Sequence, residues 1–193
     1  MTKTKTVRHK KKAVFLDRDG VVIREVDHLC RVEQLRILPR AAEAIKEIGN
    51  LGYVAVLITN QAAIAKGMLT EKGLESIHAV LVGRLTRRGA KLDGNYYCPH
   101  HPEGKISRYR VVCSCRKPEA GLTLLAAKEM NLDLERSFTI GDKTGDILSG
   151  RNAGTKTILV QTGYGGKDGL YGVKPDYVAK NLADAVRIIK KYA

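Results

Sequence analysis

No apolar run in this sequence approaches the roughly 20 residues that a helix needs to cross a bilayer, so no membrane role is expected. The first twelve residues hold no acid, and no apolar stretch follows their basic ones. They do not read as a secretory signal, and the expected compartment is the cytoplasm. An internal repeat is missing too, which argues against a solenoid. No low-complexity linker divides the chain. At 193 residues, 44% hydrophobic and 28% charged, it is long enough for one soluble domain with a sizeable core and short for two.

Acidic residues are scarce relative to basic ones. The chain carries 34 Lys and Arg against 20 Asp and Glu, a net charge of +14. Six of the bases (Lys3, Lys5, Arg8, Lys10, Lys11 and Lys12) crowd into residues 1–12, which are expected to form a flexible, solvated tail. A nucleic-acid or membrane-surface arm is the sharper alternative. Beyond Lys12, 28 bases face 20 acids, an excess of +8 that suits an anionic ligand without choosing one.

Strand and helix signals alternate. Residues 12–17 (K-A-V-F-L-D) are a short apolar run ending on an acid, as in a buried strand. Pro39 opens a helix over 39–51 that Gly52 ends, and 53–59 read as a second apolar strand. Thr70 caps a helix over 70–88 with Glu71 in its first turn. Residues 92–97 predict a short strand, 100–116 an irregular cysteine-rich loop and 120–130 a helix. Strands follow at 137–140, 157–161 and 177–179. A short helix falls at 146–153 and a last one at 182–192. This order predicts an α/β fold, a Rossmann-like parallel sheet with helices on both faces. In such sheets ligands bind at the carboxyl ends of the strands, where Asp17, Thr59 and Asp142 all fall.

Four short segments carry the chemistry. Asp17-Arg18-Asp19-Gly20 places two acids two residues apart at a glycine turn. Thr59-Asn60-Gln61 ends the second strand with a hydroxyl and amides able to hold phosphoryl oxygens. Arg116-Lys117-Pro118 brings two cations before a helix. Gly141-Asp142-Lys143-Thr144-Gly145-Asp146 follows a strand, opens a helix, and offers Asp142 as an oxygen ligand for Mg²⁺. Singly each is ordinary. In this order, on this strand pattern, they resemble the haloacid dehalogenase superfamily of phosphotransferases across residues 13–193.

The resemblance implies a mechanism. Asp17 would be the nucleophile that becomes an aspartyl-phosphate. Asp19 would protonate the leaving oxygen and then activate water. Mg²⁺ would sit on the Asp17 carboxylate, the Asp19 backbone carbonyl and the Asp142 carboxylate. Thr59 and the Asn60 amide, with Gln61, would hold the substrate, and Lys117 would offset negative charge. Asp146 would orient its neighbours rather than bind the metal.

The four cysteines are Cys30, Cys98, Cys113 and Cys115, three of them within 18 residues. Cys98-Pro99-His100-His101 followed by Cys113-Ser114-Cys115 offers a closed tetrahedral set for structural Zn²⁺ in a loop over 98–115. Either histidine satisfies the spacing. With this loop, the resemblance narrows to the heptose bisphosphate and histidinol-phosphate phosphatase family, in which His100 is the matched position. The twelve residues between His100 and Cys113, together with Tyr96-Tyr97, favour the heptose branch. The family implies a capless fold, with the loop restricting the entrance and Arg116 and Lys143 touching substrate.

Two segments depart from the family pattern. Ala62-Ala63-Ile64-Ala65-Lys66-Gly67 lacks a serine, a glycine and an arginine usual there, and 23–32, with His28 and Cys30, lacks a usual glycine-tyrosine-valine. Both lie near the expected sugar position. The expected function is hydrolysis of D-glycero-D-manno-heptose 1,7-bisphosphate to the monophosphate by a monomer. The alternatives are histidinol phosphate, another small phosphate ester, or phosphorylated nucleic-acid ends. A non-catalytic zinc module binding nucleic acid is not expected, because it would have no reason to keep carboxylates beside an anionic ligand.

Overall fold

Strand β1 (Lys11–Leu16) turns Ala13 and Phe15 to one side and Val14 and Leu16 to the other, and all four are fully buried. Strand β2 (Tyr53–Asn60) repeats the arrangement with Val56 and Ile58 against Ala55 and Leu57. A strand apolar on both faces is stable only between two covering layers. This computed structural model describes residues 9–193; the first eight positions of the expected tail lie outside them. Lys11 and Lys12, expected in that tail, instead open β1.

Strands β3 (Gly94–Cys98), β4 (Leu132–Gly141), β5 (Lys156–Val160) and β6 (Tyr177–Ala179) complete a sheet ordered β3-β2-β1-β4-β5-β6. Every pairing is parallel. Helices α1 (Ala41–Asn50), α3 (Glu71–Thr86) and α6 (Leu182–Ile189) bury apolar faces in the larger core cluster. Helix α4 (Gly121–Met130) covers the opposite side with Leu122 and Ala126. Helix α5 (Thr144–Asn152) packs on β4 and β5. Among the described residues no helix is long and apolar enough to cross a membrane.

The chain order reverses between β1 and β4, which hold Asp17 and Asp142 just beyond their carboxyl ends. Such a reversal splays the connections apart and opens a crevice, the usual ligand position of an open parallel sheet. Thr70 caps α3 as expected, its Oγ1 accepting the Gly73 amide at 3.0 Å.

Three elements differ from expectation. β4 starts at Leu132, five residues early. There Ser137 Oγ accepts the Ala13 amide at 2.9 Å and donates to the Asp133 carbonyl, so a side chain bridges a slip in the β1–β4 register. A four-residue helix α2 (Ala62–Ala65) follows β2 directly. The last helix is α-helical only to Ile189 and tightens into a 3₁₀ turn over Lys190–Tyr192.

Candidate active site

The centre of the site is one ammonium between two carboxylates. Lys117 Nζ lies 2.5 Å from Asp17 Oδ1 and 2.6 Å from Asp146 Oδ1, and it also donates to the Ile58 carbonyl at 3.0 Å. All three side chains are nearly inaccessible. Burial opposes the charge on Lys117, but Asp146 and Asp17 outweigh it and push its pKa up. Asp17 is pushed up to about 7, first by burial and then by the nearby carboxylates of Asp146 and Asp19, with Lys117 pulling the other way. Asp17, Asp142 and Asp146 gather around that one ammonium, and three acids so close repel one another unless further positive charge joins them.

Asp142 shows where that charge belongs. It is fully buried, and its Oδ1 is without a hydrogen-bond partner among the described residues. Oδ2 accepts the Tyr164 amide at 2.7 Å. Burial, then Asp17 and Asp146, raise its pKa to about 8. An orphaned buried carboxylate oxygen is costly unless a ligand completes it. One ligand atom each from Asp17, Asp142 and Asp146 falls within a 4.8 Å cluster. Both Asp146 oxygens already have partners, Lys117 Nζ and the Lys143 amide at 3.0 Å, so Asp142 is the better donor of the two. A hard oxygen site of this kind fits Mg²⁺.

Two glycines make room around Asp142. A Cβ on Gly20 (φ +78°) would stand 2.2 Å from its Oδ2, and one on Gly163 (φ +62°) would stand 2.0 Å away. Only a residue without a Cβ can make both the turn and the approach. The loop after β5 is fastened there by Thr162 Oγ1 donating to the Gly20 carbonyl at 2.6 Å and Gly166 donating to the Asp142 carbonyl at 2.7 Å. Thr162, Gly163 and Tyr164 were not anticipated, although a glycine just past a strand end is a signal for such an approach.

Asp19 lines the same cavity as Asp17 but is held by a different set of contacts. Its carboxylate takes the fork of Arg18, with Nη2 at 2.9 Å from Oδ2 and Nε at 3.3 Å from Oδ1. Arg18 is 1% exposed. Gln61, expected at the substrate, lines the cavity and is also held by protein groups. Nε2 donates to Thr59 Oγ1 at 2.9 Å and to Asp19 Oδ2 at 3.2 Å, and Oε1 accepts from Arg18 at 3.0 Å. The Asn60 side chain clasps the Lys117 backbone, accepting its amide at 3.1 Å and donating to its carbonyl at 3.0 Å. Its β2 position therefore sets where the Lys117 ammonium begins.

A second cluster sits at the end of β3. Cys98 Sγ is 3.5 Å from Cys113 Sγ and 3.0 Å from Cys115 Sγ, and His100 Nδ1 is 3.4 Å from Cys115 Sγ. All four ligand atoms converge within 4.8 Å, a donor set and spacing compatible with a tetrahedral zinc ion. Burial raises the Cys98 and Cys115 thiols, while at Cys113 the hydrogen bonds from Cys115 and Cys98 overcome burial and lower it. His101 faces away and accepts the Glu103 amide at Nδ1, which separates it from His100.

Between the two clusters lies a cavity of about 650 Å³, lined by Asp17, Asp19, Arg116, Lys117 and Lys143 among others. Arg116 donates to the His100 carbonyl at 3.1 Å, tying the cavity wall to the cysteine loop. Lys143 pairs with Glu25 at 3.1 Å and lies 4.3 Å over the Tyr164 ring. The two unusual segments meet here: Glu25, His28, Ala62 and Ala63 line the cavity, and Lys66 Nζ lies 2.9 Å from His28 Nε2.

The chain is 41% identical to the D-glycero-beta-D-manno-heptose-1,7-bisphosphate 7-phosphatase of Pasteurella multocida, over 93% of this chain and 97% of that protein. It is 36% identical to the protein of that name from Escherichia coli K12, over 93% and 94%. The chain belongs to this phosphatase family. A family profile described as HAD-hyrolase-like also matches residues 114–185. The crystal structure of D,D-heptose 1,7-bisphosphate phosphatase from B. bronchiseptica, complexed with magnesium and phosphate, superimposes with a TM-score of 0.83. The two are 31% identical over 94% of this chain and 99% of that one. The haloacid-dehalogenase-like fold and phosphatase class expected from the four motifs are thereby borne out. In this phosphatase the strand ends bring Asp17, Thr59, Asn60, Gln61 and Asp142 together, and the segment after the cysteine loop adds Arg116 and Lys117.

Proposed function

We propose that residues 13–193 act as one monomeric domain that removes the 7-phosphate from D-glycero-β-D-manno-heptose 1,7-bisphosphate. The observation that carries this reading is the buried set of Asp17, Lys117, Asp146 and Asp142, with Asp142 Oδ1 unpartnered at the mouth of the reversal point. Asp17 attacks phosphorus in line and carries the phosphoryl group as an aspartyl-phosphate. Lys117 holds the Asp17 carboxylate in one rotamer and offsets charge gained by the phosphoryl oxygens. Asp19 gives its proton to the departing sugar oxygen and later takes one from water. Thr59 and the Asn60 backbone amide hold the transferring group, and Gln61 holds Thr59 and Asp19 in place. Mg²⁺, held by the Asp17 and Asp142 carboxylates and the Asp19 carbonyl, supplies the positive charge that lets three acids and a phosphate share one site.

Zn²⁺ on Cys98, His100, Cys113 and Cys115 fixes the loop that carries Arg116 and Lys117 into the cavity. The cationic groups on the cavity wall, Arg116 and Lys143, suit a substrate with a second phosphate. The test is Mg²⁺-dependent phosphate release from both anomers of heptose 1,7-bisphosphate, histidinol phosphate, fructose 1,6-bisphosphate and a 3′-phosphorylated oligonucleotide, with Asp17→Asn as blank. Preference for the β-anomer is expected. Preference for histidinol phosphate or the oligonucleotide would sink the substrate assignment and keep the mechanism.

A further inference from the structure

The chain of buried polar contacts that begins at Asp19 does not stop at Arg18. Arg18 Nη1 lies 3.2 Å from His78 Nε2, on α3, and the Asn95 side-chain amide lies 2.9 Å from His78 Nδ1, on β3. His78 is 5% exposed, and its ring packs edge-on against Tyr97 at 6.1 Å between centroids. A guanidinium can only donate, so His78 Nε2 must be the acceptor. The imidazole is then neutral, with its one proton on Nδ1. Burial, and next the charge on Arg18, favour that form by lowering the pKa of His78 to about 4. An Nδ1 proton needs an acceptor, so Asn95 meets it with its carbonyl oxygen, the amide turned over from the orientation that puts Nδ2 there.

From this geometry we infer that His78 is a positioning residue for proton transfer. Held in one tautomer by Asn95, it anchors the far end of Arg18, whose fork fixes the Asp19 carboxylate. Three side chains, Asn95 on β3, His78 on α3 and Arg18 just past β1, thus set the orientation of one acid. Arg18 is long and lies with its guanidinium in a plane that must match the carboxylate plane. If its Nη1 loses its acceptor, the fork has no fixed far end and Asp19 can rotate off the leaving oxygen. The inference rests on Asp19 being the acid of the proposed mechanism.

Leaving-group dependence isolates that step. A p-nitrophenolate leaves without a proton, whereas an alkoxide does not. The kcat/KM value reports only events up to the first irreversible step, phosphorylation of Asp17. The probes are therefore p-nitrophenyl phosphate and an alkyl phosphate, assayed with the Mg²⁺-loaded full chain. In Asp19→Asn the alkyl substrate is expected to lose at least about 100-fold more than the aryl one, the usual scale of general acid catalysis. In His78→Leu the alkyl substrate is expected to fall about tenfold with the aryl one within about twofold, a fraction of the same effect.

His78→Gln, which can accept from Arg18 and donate to Asn95, should restore the alkyl rate to within about twofold. Asn95→Ala, at an exposed edge-strand position that tolerates truncation, provides the same reading if His78→Leu does not fold, with an alkyl-selective loss of about threefold. Equal losses on both substrates in the His78 and Asn95 variants, or none, would overturn the positioning role while Asp19→Asn keeps its selectivity. A flat response in Asp19→Asn itself would overturn the acid assignment, and the inference with it.

Discussion

The two ligand clusters of this phosphatase are built in opposite ways. Asp17, Thr59 and Asp142 stand at or just past the ends of β1, β2 and β4, and each strand is buried on both faces. Their positions are fixed by the packing of the whole sheet. Cys98 also ends a strand, but Cys113 and Cys115 hang on a segment over 99–120 with one 3₁₀ turn and little buried apolar surface of its own. The carboxylate centre is held apart by its scaffold against its own repulsion. The cysteine cluster would draw its scaffold together once it holds a metal. Stability and chemistry should therefore separate cleanly between them.

Asp17→Asn makes the sharpest cut. Phosphate release should fall by more than about 10³-fold, since an amide cannot form the aspartyl intermediate. Thermal stability without metal should not fall, because the change removes one of three crowded acids and leaves Lys117 its bond to Asp146. A large drop in melting temperature would show that the Asp17–Lys117 pair is structural and erase the contrast.

Cys113→Ser should reverse the pattern. The loss of one thiolate weakens the loop's only closed ligand set, and about 3 kcal/mol of stability is expected to go with it. Activity should fall less than in Asp17→Asn, through the loosened approach of Arg116 and Lys117. Hydrogen exchange is the decisive readout. Protection should be lost over residues 98–117 and kept in β1 and β4, and a global loss would mean the loop is part of the main folding unit.

How much of this contrast was legible in the sequence follows from range. The three strand-end motifs could be read because each announces itself locally, as an apolar run ending in polar residues, and Arg116-Lys117-Pro118 because a basic pair precedes a helix. The cysteine cluster could be read from spacing and chemistry. Arg18 could not, since nothing adjacent to it says that His78 and Gln61, 60 and 43 residues away, will bury it. The partners of Gln61, Thr59 and Asp19, were hidden for the same reason, because they are assigned by the fold. The early start of β4 was hidden because Ser137, not an apolar side chain, repairs the ladder there.

Proton linkage gives a subtler test. In metal-free protein Asp17 and Asp142 are raised to about 7 and about 8, above the ordinary carboxylate value. The folded state then holds more protons than the unfolded one between pH 4 and 8, so stability declines as pH rises across that window. Magnesium must displace those protons, and its affinity should climb over the same range. Melting curves with and without Mg²⁺ at pH 6 and pH 8 check this, with the larger stabilisation expected at pH 8. In Asp142→Asn the magnesium-dependent shift should be lost at both pH values. A shift that persists would place the metal elsewhere.

The smallest expected effect joins the two regions. Glu71, in the first turn of α3, accepts the Tyr97 hydroxyl at 2.8 Å and also the hydroxyl of Tyr109, whose ring centroid lies 6.2 Å from that of His100. The cysteine loop is thereby pinned to the same helix that presents His78. The Tyr109 and Tyr97 hydrogen bonds, in that order, lower the pKa of Glu71. A carboxylate lowered in the folded state stabilises it above the ordinary pKa and loses that contribution as pH falls through the shifted value. Glu71→Gln keeps the shape and removes the charge. With solvent close to the carboxylate, the cost should be under about 1 kcal/mol. Its difference from wild type should vanish in acid, where Glu71 is itself neutral. Exchange should quicken around Tyr109 while kcat/KM stays within about twofold, because a metal on Cys98, His100, Cys113 and Cys115 would keep the loop closed. A loss of activity matching that of Cys113→Ser would show that the helix, rather than the metal, holds the loop in place.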